Sequence, residues 1–428
     1  MTNSKLKDSN IEWLGKIPSN WNLIKGKYLF TLRTTKGNTK QVELLSPTQE
    51  YGVIPQKLYE KLTGMRPVKL KSNTDLNQMK SIYKGDFCIS LRSFQGGFEY
   101  SNYDGIVSPA YQVFYPSNQV NRNYFKYLFK DKSFIQKLNS YTMSLRDGKN
   151  IAFSDFGNTY LPFPALDEQN KIADFLDKKV LQIDDISKKI QQEITDLEKY
   201  RKSIITKAVT KGLSPNVPMK NSNISWIGEV PSNWHIEKLK FIAETRNNKE
   251  LLSNVQNNYI GLENIVKNTG QYVCSNTTYE EGYYDVCKKG DILYGKLRPN
   301  LSKVLVAPFD SCCSGEFLIF KSAKINLKYL FYYLLSQGIT EIATSAIYGT
   351  KMPRVSWDFI KNLFISFPPK NEDQKEIVNY LDIQCNKIDS ILKNKHILLK
   401  KLNQYKQSII YEYVTGKKQV PTEEGAVE

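Results

Sequence analysis

The string WLGKIPSNW at residues 13–21 returns as WIGEVPSNW at residues 226–234. A Pro-Ser-Asn turn can recur by chance in any long chain, because such residues favour turns. Two tryptophans at the same spacing, followed by further matches in the same order, cannot be set aside so easily. Lys84-Gly85-Asp86 is answered by Lys289-Gly290-Asp291, Lys126-Tyr127-Leu128-Phe129 by Lys328-Tyr329-Leu330-Phe331, and Phe163-Pro164 by Phe367-Pro368. Residues 169–210 then align without a gap to 374–415, sharing Ile183-Asp184 with Ile388-Asp389 and Ser203-Ile204-Ile205 with Ser408-Ile409-Ile410. Ordered self-similarity of this kind is an internal duplication, so the chain is expected to fold as one unit twice.

The gap-free stretch reads as helix. It begins after Pro162-Phe163-Pro164 and runs from Leu166 to Gly212 with Asp167 as N-cap; its copy offers Asn371 and, three residues on, Gln374, a capping-box pattern. With Ile183 as position a, the a and d seam is Ile183, Ile186, Ile190, Leu197, Tyr200 and Ile204, with Glu193 as a misfit. The copy gives Ile388, Ile391, Leu398, Leu402, Tyr405 and Ile409, with Lys395 as its misfit. Neither stripe is interrupted by Gly or Pro, so each helix is expected to pair along its length, and the other copy is the obvious partner. Gly212, Pro215 and Pro218 close the first helix, and Gly416 and Pro421 the second. Ahead of each helix, short apolar runs such as Phe87-Cys88-Ile89, Tyr111-Gln112-Val113-Phe114 and Phe317-Leu318-Ile319-Phe320 read as strands, while 123–140 and 327–344 read as helix. The expected class is α+β: two duplicated mixed α/β units, each followed by a long helix, with boundaries at 1–162, 163–212, 213–366 and 367–428.

Catalytic signatures are missing from this frame. There is no phosphate-cradling G-x-x-x-x-G-K-[ST] loop, no G-x-G-x-x-G, no G-x-S-x-G and no H-E-x-x-H. His235 and His396 do not occupy matched places, and the cysteines at 88, 274, 287, 312, 313 and 385 form no C-x-x-C unit, so no metal site is expected. Asp184-Asp185 on a charged helix face reads as solvated surface. With no apolar leader and no run of eighteen apolar residues, the expectation is a reduced, cytoplasmic protein that does not span a membrane. Net charge is +17, of which residues 1–160 carry +11 and residues 213–366 carry +4. A basic surface attracts polyanions, and the excess lies in the repeated globular parts.

Two similar but non-identical basic units, linked by paired helices, suit a bipartite asymmetric DNA target, because linkage makes the second contact intramolecular and each unit can read its own half-site. The competing reading is a coiled-coil protein–protein adaptor with incidental charge, which would lack the steep salt dependence of phosphate contacts. The order of features, namely a W-[IL]-G-x-[IV]-P-x-x-W opening, a globular unit, an FP-DEQ-type helix ending in S-I-I-x-x-x-V-T, and the same again, resembles the specificity subunit of type I restriction-modification enzymes over nearly the whole chain. The resemblance implies two target-recognition domains, an antiparallel coiled-coil spacer and no catalytic centre in this chain. It also implies partners: double-stranded DNA, two methyltransferase subunits bringing S-adenosylmethionine, and motor-nuclease subunits bringing ATP and magnesium chemistry. The chain departs from an even repeat where His396-Ile397-Leu398-Leu399 replaces Gln191-Gln192-Glu193-Ile194, which implies unequal partner binding by the two helices.

Candidate base contacts lie in matched turns. Arg92, Ser93 and Gln95 precede Gly96-Gly97, and Lys296, Arg298 and Asn300 hold the matching place; Arg146, Lys149 and Asn150, with Lys351 and Arg354, form a second pair of turns. Arg and Asn can make bidentate contacts to guanine and adenine edges, whereas Lys more often grips phosphate. The tryptophans of the repeated opening are expected to be packing anchors at the junction of unit and helix. Helices of about thirty residues would span roughly 45 Å, or about thirteen base pairs of duplex.

Overall fold

The computed structural model describes residues 5–36, 43–65, 78–89, 98–140, 151–255, 258–275, 277–347 and 353–421. It divides into two compact units, each discontinuous in sequence: residues 1–189 with 398–428, and residues 190–397. Each unit therefore holds one globular part and a portion of both long helices, Leu166–Lys211 and Asn371–Val414. No helix among the described residues is long and apolar enough to cross a membrane.

In the first unit, strands Phe30–Leu32, Gln112–Pro116, Phe87–Ile89 and Phe98–Tyr100 form an antiparallel sheet in that spatial order. Phe30, Phe87, Phe98 and Phe114 project from it into a core completed by Phe125, Phe129, Phe134 and Phe156. These rings meet largely edge to face, for example Phe98 and Phe156 at 4.8 Å. The second unit repeats the order with Ala243–Thr245, Phe317–Ala323, Ile292–Gly295 and Val304–Val306. Its core is aliphatic and tyrosine-rich, built on Ile292, Val304, Leu330, Tyr329, Tyr333 and Ile365. One topology thus carries two different fillings, as cores allow when pattern and volume are kept. The second unit adds a sheet of Lys249–Leu251, Tyr283–Cys287, Ser311–Cys313 and Tyr259–Ile260.

Residues 123–140, expected as one helix, form two: Arg122–Leu128 and Lys132–Ser140. The Asp131 carboxylate accepts the N–H groups of Ser133 and Phe134 at 2.9 and 3.1 Å, which starts the second helix. Residues 327–344 are likewise split into Leu327–Leu334 and Gln337–Ser345. Asn121 and Asn326 cap the leading helices, and this pairing corrects the repeat register. The K-Y-L-F match is one helical turn out of step, because Tyr124, not Tyr127, is equivalent to Tyr329. Tyr124 donates to the Val414 carbonyl at 2.7 Å and Tyr329 to that of Val209 at 3.0 Å, so each receives the end of a long helix. Tyr127 and Tyr332 donate in turn to Asp177 and Asp382.

The long helices differ from expectation at their starts. Asp167 lies inside the first turn rather than at the N-cap, where its charge favours the helix N-terminus. Gln374 does not close a capping box: its amide donates to the Pro368 carbonyl at 2.8 Å, and its oxygen accepts the Asn326 N–H at 2.7 Å. Gln169 does the same with Pro164 and Asn121, so the repeated glutamine ties each helix start to the capped helix beside it.

Within each unit the helices run antiparallel. In the first, Phe175 meets Tyr413 and Asp184 pairs with Lys406 at 2.7 Å; in the second, Glu193 pairs with Lys395 at 2.5 Å and Arg201 with Asp389 at 3.0 Å. The two seam misfits are therefore each other's partners. The heptad period holds, but the frame is shifted. Ile183, Ile190, Ile204, Ile388 and Ile409 are buried and Leu197 and Leu402 half-buried, whereas Ile186, Tyr200, Ile391, Leu398 and Tyr405 are 44 to 55 % exposed. The contact stripe continues four residues on from each a position rather than three, through Ile194, Arg201, Ala208, Leu392 and Tyr413. Size does not choose the face: large side chains on the inward stripe find partners there, Arg201 in Asp389 and Tyr413 in Phe175.

The repeated tryptophan motif closes the helix ends. Gly416, left-handed at φ 71°, sits so tightly on the first copy that an added Cβ would lie 2.4 Å from Pro18 and 3.0 Å from Trp21. Gly212, at φ 74°, sits on Trp234 of the second copy at 3.3 Å. Each motif thus seats the end of the long helix that does not follow its own globular part.

Candidate nucleic-acid interface

The described candidate contacts lie on two braced turns of the second unit. After strand Ile292–Gly295, the Lys296 N–H donates to the Glu316 carbonyl at 2.8 Å, the Arg298 N–H to that of Pro353 at 2.9 Å, and the Val355 N–H to that of Lys296 at 3.1 Å. Leu297 and Arg354 form an antiparallel bridge. The two candidate turns are thereby brought side by side. Arg298 (φ 51°, ψ 62°) and Ser302 (φ 43°, ψ 53°) both occupy the left-handed region, a conformation non-glycine residues hold only when surroundings impose it. Arg298 and Asn300 are exposed and Lys296 half-buried. Arg354 is engaged differently: its Nε donates to Glu316 at 2.9 and 3.1 Å and its Nη2 at 2.6 Å, which holds the Glu316 carboxyl below the usual carboxylate range. Arg92, Ser93, Gln95, Arg146, Lys149, Asn150 and Lys351 lie outside the described residues.

A second basic feature, outside the candidate turns, occurs in both units. Lys25, Lys27 and Arg33 recur as Lys238, Lys240 and Arg246, a K-x-K-x5-R spacing offset by the same interval as the tryptophans. The lysines lie over aromatic rings: Lys25 over Tyr160, Lys27 over Tyr28, Lys238 over Phe364 and Lys240 over Phe241, at 4.9 to 5.5 Å. Arg33 binds Asp86 at 2.7 and 2.9 Å, and Arg246 binds Asp291 at 2.8 and 3.3 Å. This accounts for the repeated Lys-Gly-Asp string, in which the aspartate also accepts the N–H of Tyr83 or Lys288 and the glycine supplies φ 93° or 90°. The shared spacing in sequence was the available signal.

A family model, the type I restriction modification DNA specificity domain, matches residues 18–196 and 231–416. The chain belongs to this family. Both matched segments contain a four-stranded sheet and most of a long helix, so the specificity domain is present twice. Among relatives, the specificity subunit of type I restriction enzyme EcoDI of Escherichia coli is 25% identical over 285 residues, 62% of this chain and 64% of that protein. The match thus spans just under two thirds of that relative's length. The specificity subunit of MjaVIII of Methanocaldococcus jannaschii is 27% identical over 299 residues, 65% of this chain and 67% of that protein. A chain from a structure of the assembly and conformational transition of a type I R-M system superposes with a TM-score of 0.67 at 14% identity, covering 94% of this chain and 99% of that one. At that identity the likeness is one of fold.

Proposed function

We propose that this chain is the DNA-recognition subunit of a type I restriction-modification complex, reading a bipartite asymmetric target and holding catalytic partners upon it. Residues 1–162 and 213–366 act as the two target-recognition domains, and the helices between and after them as the spacer. The observation that carries this reading is the double occurrence of a DNA specificity domain on one strand order, with candidate turns that differ in sequence. Arg298 and Asn300 are base-contact candidates of the second domain, with Lys296 and Arg354 beside them; Arg92, Ser93, Gln95, Arg146, Lys149, Asn150 and Lys351 keep that role as sequence-based candidates. Catalysis belongs to the partners: two methyltransferase subunits that bring S-adenosylmethionine, and motor-nuclease subunits that use ATP and magnesium. Such a complex works in the cytoplasm, where genomic DNA is.

Incubation with labelled S-adenosylmethionine and DNA tests the reading. The isolated chain should transfer no label, and addition of a methyltransferase partner should produce methylation at one bipartite sequence. Label transfer by the chain alone would refute the assignment. Methylation mapping in cells with and without the chain should lose or gain that same sequence.

A further inference from the structure

Arg33 and Arg246 occupy equivalent places at the ends of strands Phe30–Leu32 and Ala243–Thr245, and each lies side-on to a buried aspartate through Nε and Nη2. Side-on pairing uses two of the five guanidinium N–H bonds and leaves the end of the fork, the edge that suits two oxygens of a phosphate or carboxylate. Among the described residues no other protein acceptor meets either arginine, and the side chains are 18 and 20 % exposed. In the first unit the direction of the fork is fixed further, because the exposed rings of Tyr83 and Tyr115 flank the guanidinium at 4.7 and 4.5 Å. Strand register puts Lys288 and Lys321 at the equivalent places in the second unit. In the second unit the two ammonium groups pair at 3.3 Å with the exposed carboxylates of Asp310 and Glu244, surface ion pairs weak enough to exchange for a phosphate. The turns that carry the base-contact candidates differ in sequence between units, whereas this arginine and its aspartate do not. Between two half-sites of different sequence, the backbone is what stays the same.

We propose that Arg33 and Arg246 are phosphate contacts, one in each unit, that grip phosphodiester oxygens of duplex DNA, with Asp86 and Asp291 as positioning residues. The proposal rests on the DNA-recognition reading above. It is tested on the full chain assembled with a methyltransferase partner, by measuring affinity across a potassium chloride series for a mixed-sequence duplex and for a duplex bearing the methylated target. Arg33→Gln and Arg246→Gln should each flatten the slope of log affinity against log salt by about 0.9, and together by about twice that. The loss should be equal on both duplexes, and Arg33→Lys should keep the slope near the wild-type value. An unchanged slope would make the pair a structural tie, and a loss confined to the target duplex would make the arginine a base reader; either result overturns the proposal. Should the Gln variants fail to fold, labelling of the wild-type complex with an arginine-specific dicarbonyl reagent decides the matter. DNA should protect Arg33 and Arg246, and equal labelling with and without DNA overturns their assignment. A wild-type complex that binds no duplex, or binds one without salt dependence, removes the DNA-recognition reading itself and this proposal with it.

Discussion

Glu99, on a strand of the first unit's main sheet, has a side chain only 2 % exposed, and its two oxygens are held by Lys130 Nζ at 2.7 and 2.6 Å. Burial raises its pKa and Lys130 pulls it back toward the ordinary range. Because the folded value remains above the unfolded one, this carboxyl favours the folded state most at low pH, and its contribution falls as pH rises through the folded value. Lys130→Met removes the restoring charge and should cost roughly 3 kcal/mol at neutral pH, since a buried charge is left uncompensated. The deficit should shrink at acid pH, where Glu99 takes up a proton; denaturant unfolding at several pH values checks this, and a deficit independent of pH would exclude it. At the same scale, Arg298→Ala should alter recognition of one half-site only, read by methylation mapping, whereas an equal loss on every sequence would make Arg298 a backbone contact. Little of this was legible in the sequence. Lys84-Gly85-Asp86 is visible as a repeat, but its purpose depends on Arg33, which lies fifty-three positions from Asp86, and Gln374 reads as part of a local cap although its partners sit at 326 and 368.

At the scale of elements, the helices were the most legible part, because a heptad period survives in one dimension; the face it buries is set by packing. Tyr200 and Tyr405 fit the d position by pattern, yet the structure turns them outward and buries Arg201 instead. Arg201 binds Asp389 and also donates to the carbonyls of Asn268 and Thr269 at 2.7 and 3.0 Å, contacts that no periodicity announces. Arg201→Ala should cost about 3 to 5 kcal/mol, by stranding Asp389 and two carbonyls. The double substitution Arg201→Met with Asp389→Leu should recover much of that loss, and a double variant no better than the single one would show that the carbonyl bonds dominate. The helix ends give a second comparison. Gly212→Ala should cost about 1 to 2 kcal/mol for its left-handed backbone. Gly416→Ala should cost a further 1 kcal/mol or more, because its Cβ would press on Pro18 at 2.4 Å rather than on Trp234 at 3.3 Å. Equal losses in denaturant unfolding would mean that the Pro18 seat yields.

For the molecule as a whole, duplication was readable from the strings alone, and the cross-closure of the motifs was not. WLGKIPSNW sits far from Gly416 in the chain, and only the fold shows that it seats that helix end while WIGEVPSNW seats the other. Helix length is the quantity that the DNA-recognition reading ties to the gap between half-sites. Removing residues 188–194 and 393–399 takes one heptad from each helix, keeps the observed contact period, and removes the paired Glu193 and Lys395 together. Neither partner of that ion pair is left alone. Each helix shortens by about 10 Å at 1.5 Å per residue, which corresponds to roughly three base pairs of duplex at about 3.4 Å each. The methylated sequence should therefore keep both half-sites and lose roughly three of the unread base pairs between them. Deleting only one of the two heptads should instead disrupt assembly, because the remaining helix loses its register and either Glu193 or Lys395 loses its partner. Methylome sequencing of cells carrying each variant reads both outcomes, and a folded double-deletion protein that still methylates the original gap would show that helix length does not set the spacing.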